Sequence, residues 1–240
     1  MIEHLGVRIK DKPSNNINKT TYISAKPEGM KNWNEDSYTK QRLKAEINYD
    51  ANMEFYDSIN NLEFEKSLKR LCNKFKLKEI NDLKTLSGVE GVYVLVLDKY
   101  KQVYVGVSKD IKRRRLSHWQ KNKSLERLIF GDVCNSNLSI DSFGALDTTR
   151  VFVKQTNRIY EIEGKITMSI DPLYTLNRTE GGIGSFTTNT EDTEMVHIAV
   201  IANRREKNLV PYINFNALKS ILSEEEIKYY LERYPNLLHN

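Results

Sequence analysis

Between Gly91 and His118 the chain reads GVYVLVLDKYKQVYVGVSKDIKRRRLSH: two short apolar runs, a polar turn and a basic helix start, with nothing between them. Gly91 to Leu97 and Val103 to Val107 are rich in β-branched and aromatic residues, and Asp98-Lys99-Tyr100-Lys101 has the length and polarity of a hairpin loop. The stretch predicts a β-hairpin that runs straight into a helix. If Leu97 pairs with Gln102, Tyr93 lies opposite Gly106 and Leu95 opposite Tyr104, so the strand period of two puts both phenols on one face as diagonal neighbours. Gly106, with no side chain, leaves room over the Tyr93 ring for a ligand or a phosphate. Ser108 or Asp110 can cap the helix that follows. At about 100° per residue from Ile111, Arg114 and His118 share the inward side and Arg113 points to solvent.

The basic residues crowd this same region. The net charge of +5 is only mildly basic, but Lys109, Lys112, Arg113, Arg114, Arg115, Lys121, Lys123 and Arg127 face only Asp110 and Glu126. A solvated helix face explains such a run as well as a polyanion does, and the paired tyrosines beside it tilt the reading toward phosphate. The 240 residues suffice for one well-buried domain with extensions or for two small domains, and a hydrophobic share of 39% leaves some segment loosely packed. No apolar run is long enough to cross a bilayer, and the first residues lack the order of a signal peptide. The expectation is a soluble, cytoplasmic protein with no membrane partner. Cys72 and Cys134, without a CxxC pair, read as reduced structural thiols and not as a zinc site.

Elsewhere the signals are coarser. Met1 to Asp50 has isolated apolar residues without a period and reads as an irregular arm, whose Lys10, Lys12, Lys19 and Lys26 offer a weak case for wrapping DNA. Phe55, Ile59, Leu62, Phe64, Leu68, Leu71 and Phe75 predict one or two amphipathic helices over 51–75 packed on the hairpin, with 81–88 a lead-in to the first strand. Trp119 to Phe130 can continue as helix or form a second helical turn, ended by Gly131; 132–147 is the expected insertion loop, and Arg150 to Gln155 alternates as a third strand. Asn157 can cap a helix whose Ile159, Ile162, Ile166 and Ile170 form one buried stripe before Asp171-Pro172 stops it. Glu163 falls at the edge of that stripe and Glu161 on the wet side. The glycine loop from Arg178 to Gly184 fits no phosphate-binding fingerprint and reads as a groove rim or a plain turn. Thr187 to Thr193 reads as a linker. Beyond it come apolar runs at Met195 to Ile201 and Leu209 to Phe215, then a capping box from Ser223 to Glu226 with Ile227, Tyr230, Leu231 and Tyr234 as an apolar face. This tail can pack back on the core, touch DNA or join two subunits.

Gly91-Val92-Tyr93, Tyr104-Val105-Gly106 and Arg114, ten residues past the second tyrosine, resemble the GIY-YIG nuclease family. The resemblance implies an α+β fold: a three-stranded antiparallel sheet flanked by helices at 88–186, between an N-terminal arm and helical extension at 1–87 and a small extension at 187–240. It implies that Glu163 binds a divalent metal, with Pro172 and then Asn177 following it in the family's order, although the Pro172 to Asn177 interval is slightly long. The implied metal is Mg²⁺, with Mn²⁺ as a substitute, and the implied chemistry is phosphodiester hydrolysis. Tyr93 would contact the attacking water, Tyr104 would position water or phosphate, and Arg114 would brace the phosphate. In restriction-type members a histidine one turn beyond the arginine occupies the place of His118. Lys109, Lys112, Arg113, Arg115, Lys121 and Arg178 are the expected nucleic-acid contacts. The expected activity is thus a metal-dependent endonuclease on double-stranded DNA, of restriction, defence or mobile-element type. One active site cuts two strands as a homodimer or by sequential nicks. A non-catalytic DNA-binding or assembly protein on the same scaffold, and a structure-specific repair nuclease, are the alternatives.

Overall fold

The architecture comes from a computed structural model, which describes residues 1–25, 34–120, 123–130, 133, 136–178 and 215–234. Its centre is an antiparallel sheet of four strands, β3 (Lys78–Glu79), β6 (Arg150–Gln155), β4 (Gly91–Leu97) and β5 (Gln102–Ser108), in the spatial order β3-β6-β4-β5. The β4–β5 register pairs Tyr93 with Gly106, Leu95 with Tyr104 and Leu97 with Gln102, as the hairpin reading expects. A short 3-10 turn over Asp98–Tyr100 joins the strands, and Lys101 closes it in the left-handed region at φ 49. The third strand stands where its alternation predicts it, and the two-residue β3 adds a fourth at the sheet edge.

Every residue of β4 is buried, which explains why its sequence is apolar throughout and does not alternate. One face carries Tyr93, Leu95, Leu97, Val151 and Val153 into a core with Phe55, Tyr56, Ile111, Leu138 and Phe143. The other carries Val92, Val94, Val96, Val103, Val105 and Phe152 against Phe64, Leu68 and Leu71 of α3 (Asn61–Phe75) and Ile166 of α5 (Ile159–Thr167). The helices expected over 51–75 therefore cover opposite faces of the sheet.

The described residues of 1–50 are not an irregular arm. They form a hairpin, β1 (Ile2–His4) with β2 (Val7–Ile9), then α1 (Lys19–Ile23), and most of α2, which runs from Glu35 to Ser58. Val7, Ile17, Tyr22 and Ala45 join the same core as Tyr93. The period is faint in α2 because its buried face mixes Ala45, Ala51, Phe55 and Tyr56 with Asn48 and Asn52, which bond carbonyls instead of packing apolar carbon.

Two further expectations change. The helix that starts at Ile111 ends at His118 and does not continue, and a separate 3-10 turn at Leu125–Arg127 follows it, the second of the two expected forms. The described residues of the predicted insertion loop are for the most part core: Leu138, Ile140, Phe143, Ala145 and Asp147 are buried, and Asp147 is satisfied there by hydrogen bonds from Ile17 N at 2.6 Å, Gly144 N at 2.7 Å and Tyr100 Oη at 2.9 Å. Helix α5 ends at Thr167, before Asp171-Pro172. Its N-cap is Arg158, without a side-chain bond, and not Asn157.

At the C-terminus stand α6 (Phe215–Lys219) and α7 (Glu224–Arg233), which pack back on α2. Phe215, Leu218, Tyr230 and Tyr234 pack on Ile47 and Ala51 of α2, and Ser223 and Glu226 make the expected capping box. The linker at 187–193, the run at 195–201, most of the run at 209–215, the glycine loop past Arg178, Gly131 and Cys134 lie outside the described residues. Cys72 is a free, half-buried thiol.

Candidate active site

The hairpin register fixes the first two groups. Tyr93 and Tyr104 face the same side with ring centroids 6.4 Å apart. The space expected over Gly106 is not open to a ligand: a Cβ there would meet Tyr93 Oη at 2.5 Å, so the phenol itself fills the gap that the glycine leaves.

Helix α4 (Ile111–His118) supplies the next groups. Asp110 caps it, its carboxylate accepting from Arg113 N at 2.9 Å, and Ile111 anchors it in the core. His118 then lies at the buried end, with Nε2 3.1 Å from Tyr93 Oη and its ring edge-on to Tyr104 at 5.5 Å. Its other nitrogen, Nδ1, is 2.6 Å from Asp141 Oδ1. Asp141 lies in the supposed insertion loop, and no spacing in the sequence pointed to it.

These contacts assign the protons. Burial pushes the His118 pKa below its ordinary value, helped by the charges of Arg115 and Arg114 and opposed by Asp141. Burial alone would raise the Asp141 carboxyl, but the bond from His118 and the Lys123 ammonium, 3.4 Å away, hold it well below the usual range. A carboxylate only accepts, so Nδ1 of the neutral ring carries the hydrogen, and the free lone pair on Nε2 faces the Tyr93 hydroxyl. Tyr93 donates to His118.

Tyr93 is fully buried, and burial raises its pKa. The charges of Arg115 and Arg114 pull it down, while the charge of Glu163 pushes it up. Burial, Tyr93, Asp141 and Glu163 raise Tyr104, against Arg114. Arg114, expected on the inward side, is exposed, and its charge and that of Glu163, buried on α5, act on both phenols in opposite directions. Glu161 is on the wet side as expected, paired with Lys165 at 2.6 Å and with Arg158.

Asn177 is buried beside β5, where its side chain brackets one residue: Oδ1 accepts from Val105 N at 2.8 Å and Nδ2 donates to Val105 O at 2.9 Å. It acts as a substitute strand on the sheet edge. Arg178 donates to Asn137 O at 2.8 Å, to Arg127 O at 3.1 Å and to Leu128 O, so its guanidinium is held by main-chain carbonyls.

Of the expected nucleic-acid contacts, Lys109 and Arg113 are exposed, Lys112 is half-buried and Lys121 lies outside the described residues. Arg115 differs most from expectation. It is 0% exposed, its guanidinium lying 6.0 Å over the Tyr93 ring and 5.1 Å over the Trp119 ring. The signal was present: Arg115 is one helical step of four from Ile111, on the inward face by the same wheel that places His118.

No protein-family model, no curated protein and no solved structure matches the chain. Among the described residues no group of three or more His, Cys, Asp or Glu side chains is placed to hold a metal ion, and no helix is long and apolar enough to cross a membrane.

Proposed function

We propose that the chain is a metal-dependent DNA endonuclease of the GIY-YIG type, hydrolysing phosphodiesters beside half-buried Tyr104 and exposed Arg114, with the buried Tyr93–His118 pair directly behind them. The observation that carries this reading is the bond between Tyr93 Oη and His118 Nε2, backed by Asp141, on the face that also presents Arg114. A buried phenol with a neutral imidazole as acceptor is a proton-transfer pair, which ordinary sheet packing does not require.

In the reaction, Tyr93 gives its proton to His118 Nε2, and Asp141 compensates the imidazolium. The phenolate takes a proton from a water molecule as the water oxygen bonds to phosphorus. The bond from phosphorus to the 3′ oxygen breaks, and the proton held on His118 is released to solvent or to that oxygen. Arg114 steadies the phosphoryl oxygens, and Tyr104 orients the phosphate against the Tyr93 ring. Mg²⁺ commonly binds through one or two carboxylates together with phosphate oxygens, a role that the buried carboxylate of Glu163 would fit. Such an ion supplies charge neutralisation at the phosphoryl and leaving oxygens. Exposed Lys109 and Arg113 lie beside the site and suit the flanking phosphates of a duplex.

Supercoiled plasmid, linear duplex and single-stranded DNA, each with Mg²⁺ or EDTA, test the reading. Nicking or linearisation that needs the metal is expected, and silence on all three substrates would overturn it. Glu163→Ala is expected to lower the rate by about 10²-fold or more without unfolding the chain. Full activity of that variant in Mg²⁺ rejects the site.

A further inference from the structure

Among the described residues the Arg115 guanidinium forms no ion pair with a carboxylate. Its side chain has no solvent exposure, and its one hydrogen bond runs from Nη2 to Thr148 Oγ1 at 3.3 Å. Nε and Nη1 have no partner among the described residues. Guanidinium groups stay protonated in proteins, and a desolvated cation with unused donors is among the least favourable arrangements in a core, unless something else depends on it. The groups that favour its charge are Tyr93 and Tyr104, phenols that become anions only when they lose a proton.

We infer that Arg115 is the built-in counterion of the Tyr93 phenolate: a positioning residue that lies over the ring, leaves its charge unbalanced at rest and becomes paired only when Tyr93 has given its proton to His118. The catalytic meaning rests on the reading of Tyr93 as the base proposed above, while the electrostatic link stands apart from it. The step balances. One proton moves from Tyr93 Oη to His118 Nε2, the new cation on His118 faces the Asp141 carboxylate, and the new anion on Tyr93 belongs to the ring over which the Arg115 guanidinium lies at 6.0 Å. The other ionisable groups around Tyr93 are Arg114 on α4, Tyr104 on β5 and Glu163 on α5, with His4 of β1 near Arg115 itself. Of these only Arg114 adds positive charge at neutral pH. It is exposed and screened by solvent, whereas Arg115 acts from inside. A guanidinium suits the place better than an ammonium, since its flat face can lie on Tyr93 and Trp119 together.

A fluorotyrosine installed at position 93, acidic enough to titrate while the chain stays folded, can be followed by fluorine NMR. Arg115→Met is expected to raise its midpoint by about one to two units, the effect of a unit charge about 6 Å away at an effective dielectric near 20. Arg115→Lys is expected to restore most of the shift. The melting temperature of Arg115→Met should equal or exceed that of the parent, because an apolar side chain replaces an unpaired buried charge. Arg115→Gln, neutral yet able to keep the Thr148 bond, gives the same measurement if the methionine variant does not fold. An unmoved midpoint in a folded neutral variant overturns the inference. A moved midpoint in a protein that cuts no DNA would keep the inference and remove only the nuclease reading.

Discussion

His118 is held between two oxygens, and its protonation state decides what Tyr93 can do. Folding lowers its pKa from the ordinary value near 6.5, and burial does the same to His4. Below that value the unfolded chain takes up protons that the folded chain refuses. Their contribution to stability is therefore complete above about pH 6.5 and is lost as pH falls through the depressed folded values. The same titration controls the relay, since a protonated Nε2 cannot accept from Tyr93. The acid limb of the cleavage profile is expected below pH 6.5. Asp141→Asn should move that limb lower still, because the carboxylate raises the His118 pKa, and should reduce the plateau rate by about 10²–10⁴-fold through loss of the oriented tautomer. A limb at or above 6.5, or one that Asp141→Asn leaves in place, would count against the relay.

At the scale of elements, the hairpin and its helix were readable because their constraints are local. Four loop residues leave few registers, one register aligns the phenols, and Asp110 marks where α4 begins. The segment between α4 and β6 was not readable, since its burial depends on partners far along the chain: Asp147 with Ile17, and Asp141 with His118. Polar residues that are buried because something distant satisfies them look like a loop in sequence. The close fit of the hairpin can be tested directly. Gly106→Ala adds a methyl 2.5 Å from Tyr93 Oη, so the ring has to move off His118; stability should fall by about 1–3 kcal/mol and cleavage should fall with it. Asn177→Ala removes both bonds to Val105 and should also cost about 1–3 kcal/mol in urea unfolding, with Tyr93 left in place. If instead it abolished cleavage with stability unchanged, Asn177 would belong to the chemistry and not to the sheet edge.

Over the molecule as a whole, α2 is the member that links the parts. Its inner face joins the core under Tyr93 through Phe55 and Tyr56, its outer face receives α6 and α7, and Tyr22 of α1 bonds Asn48 at 3.5 Å. Between these faces, Asn48 donates to Val133 O at 2.9 Å and Ser136 O at 2.8 Å, and Asn52 donates to Ser136 O at 2.9 Å. The segment they hold leads into Leu138, Ile140 and Asp141, so a helix remote from the hairpin helps to place the carboxylate behind His118. Asn48→Ala takes the donor from the buried Val133 carbonyl, leaves Ser136 O with its bond from Asn52, and should destabilise the chain by about 1–3 kcal/mol. In urea the midpoint is expected to fall with the slope unchanged, as for a loss of stability without a change in compactness. The same variant should shift the acid limb of cleavage in the direction expected for Asp141→Asn, and by less, because Asp141 is loosened and not removed. Destabilisation with the pH profile unmoved would separate α2 from the relay and leave it as scaffold alone.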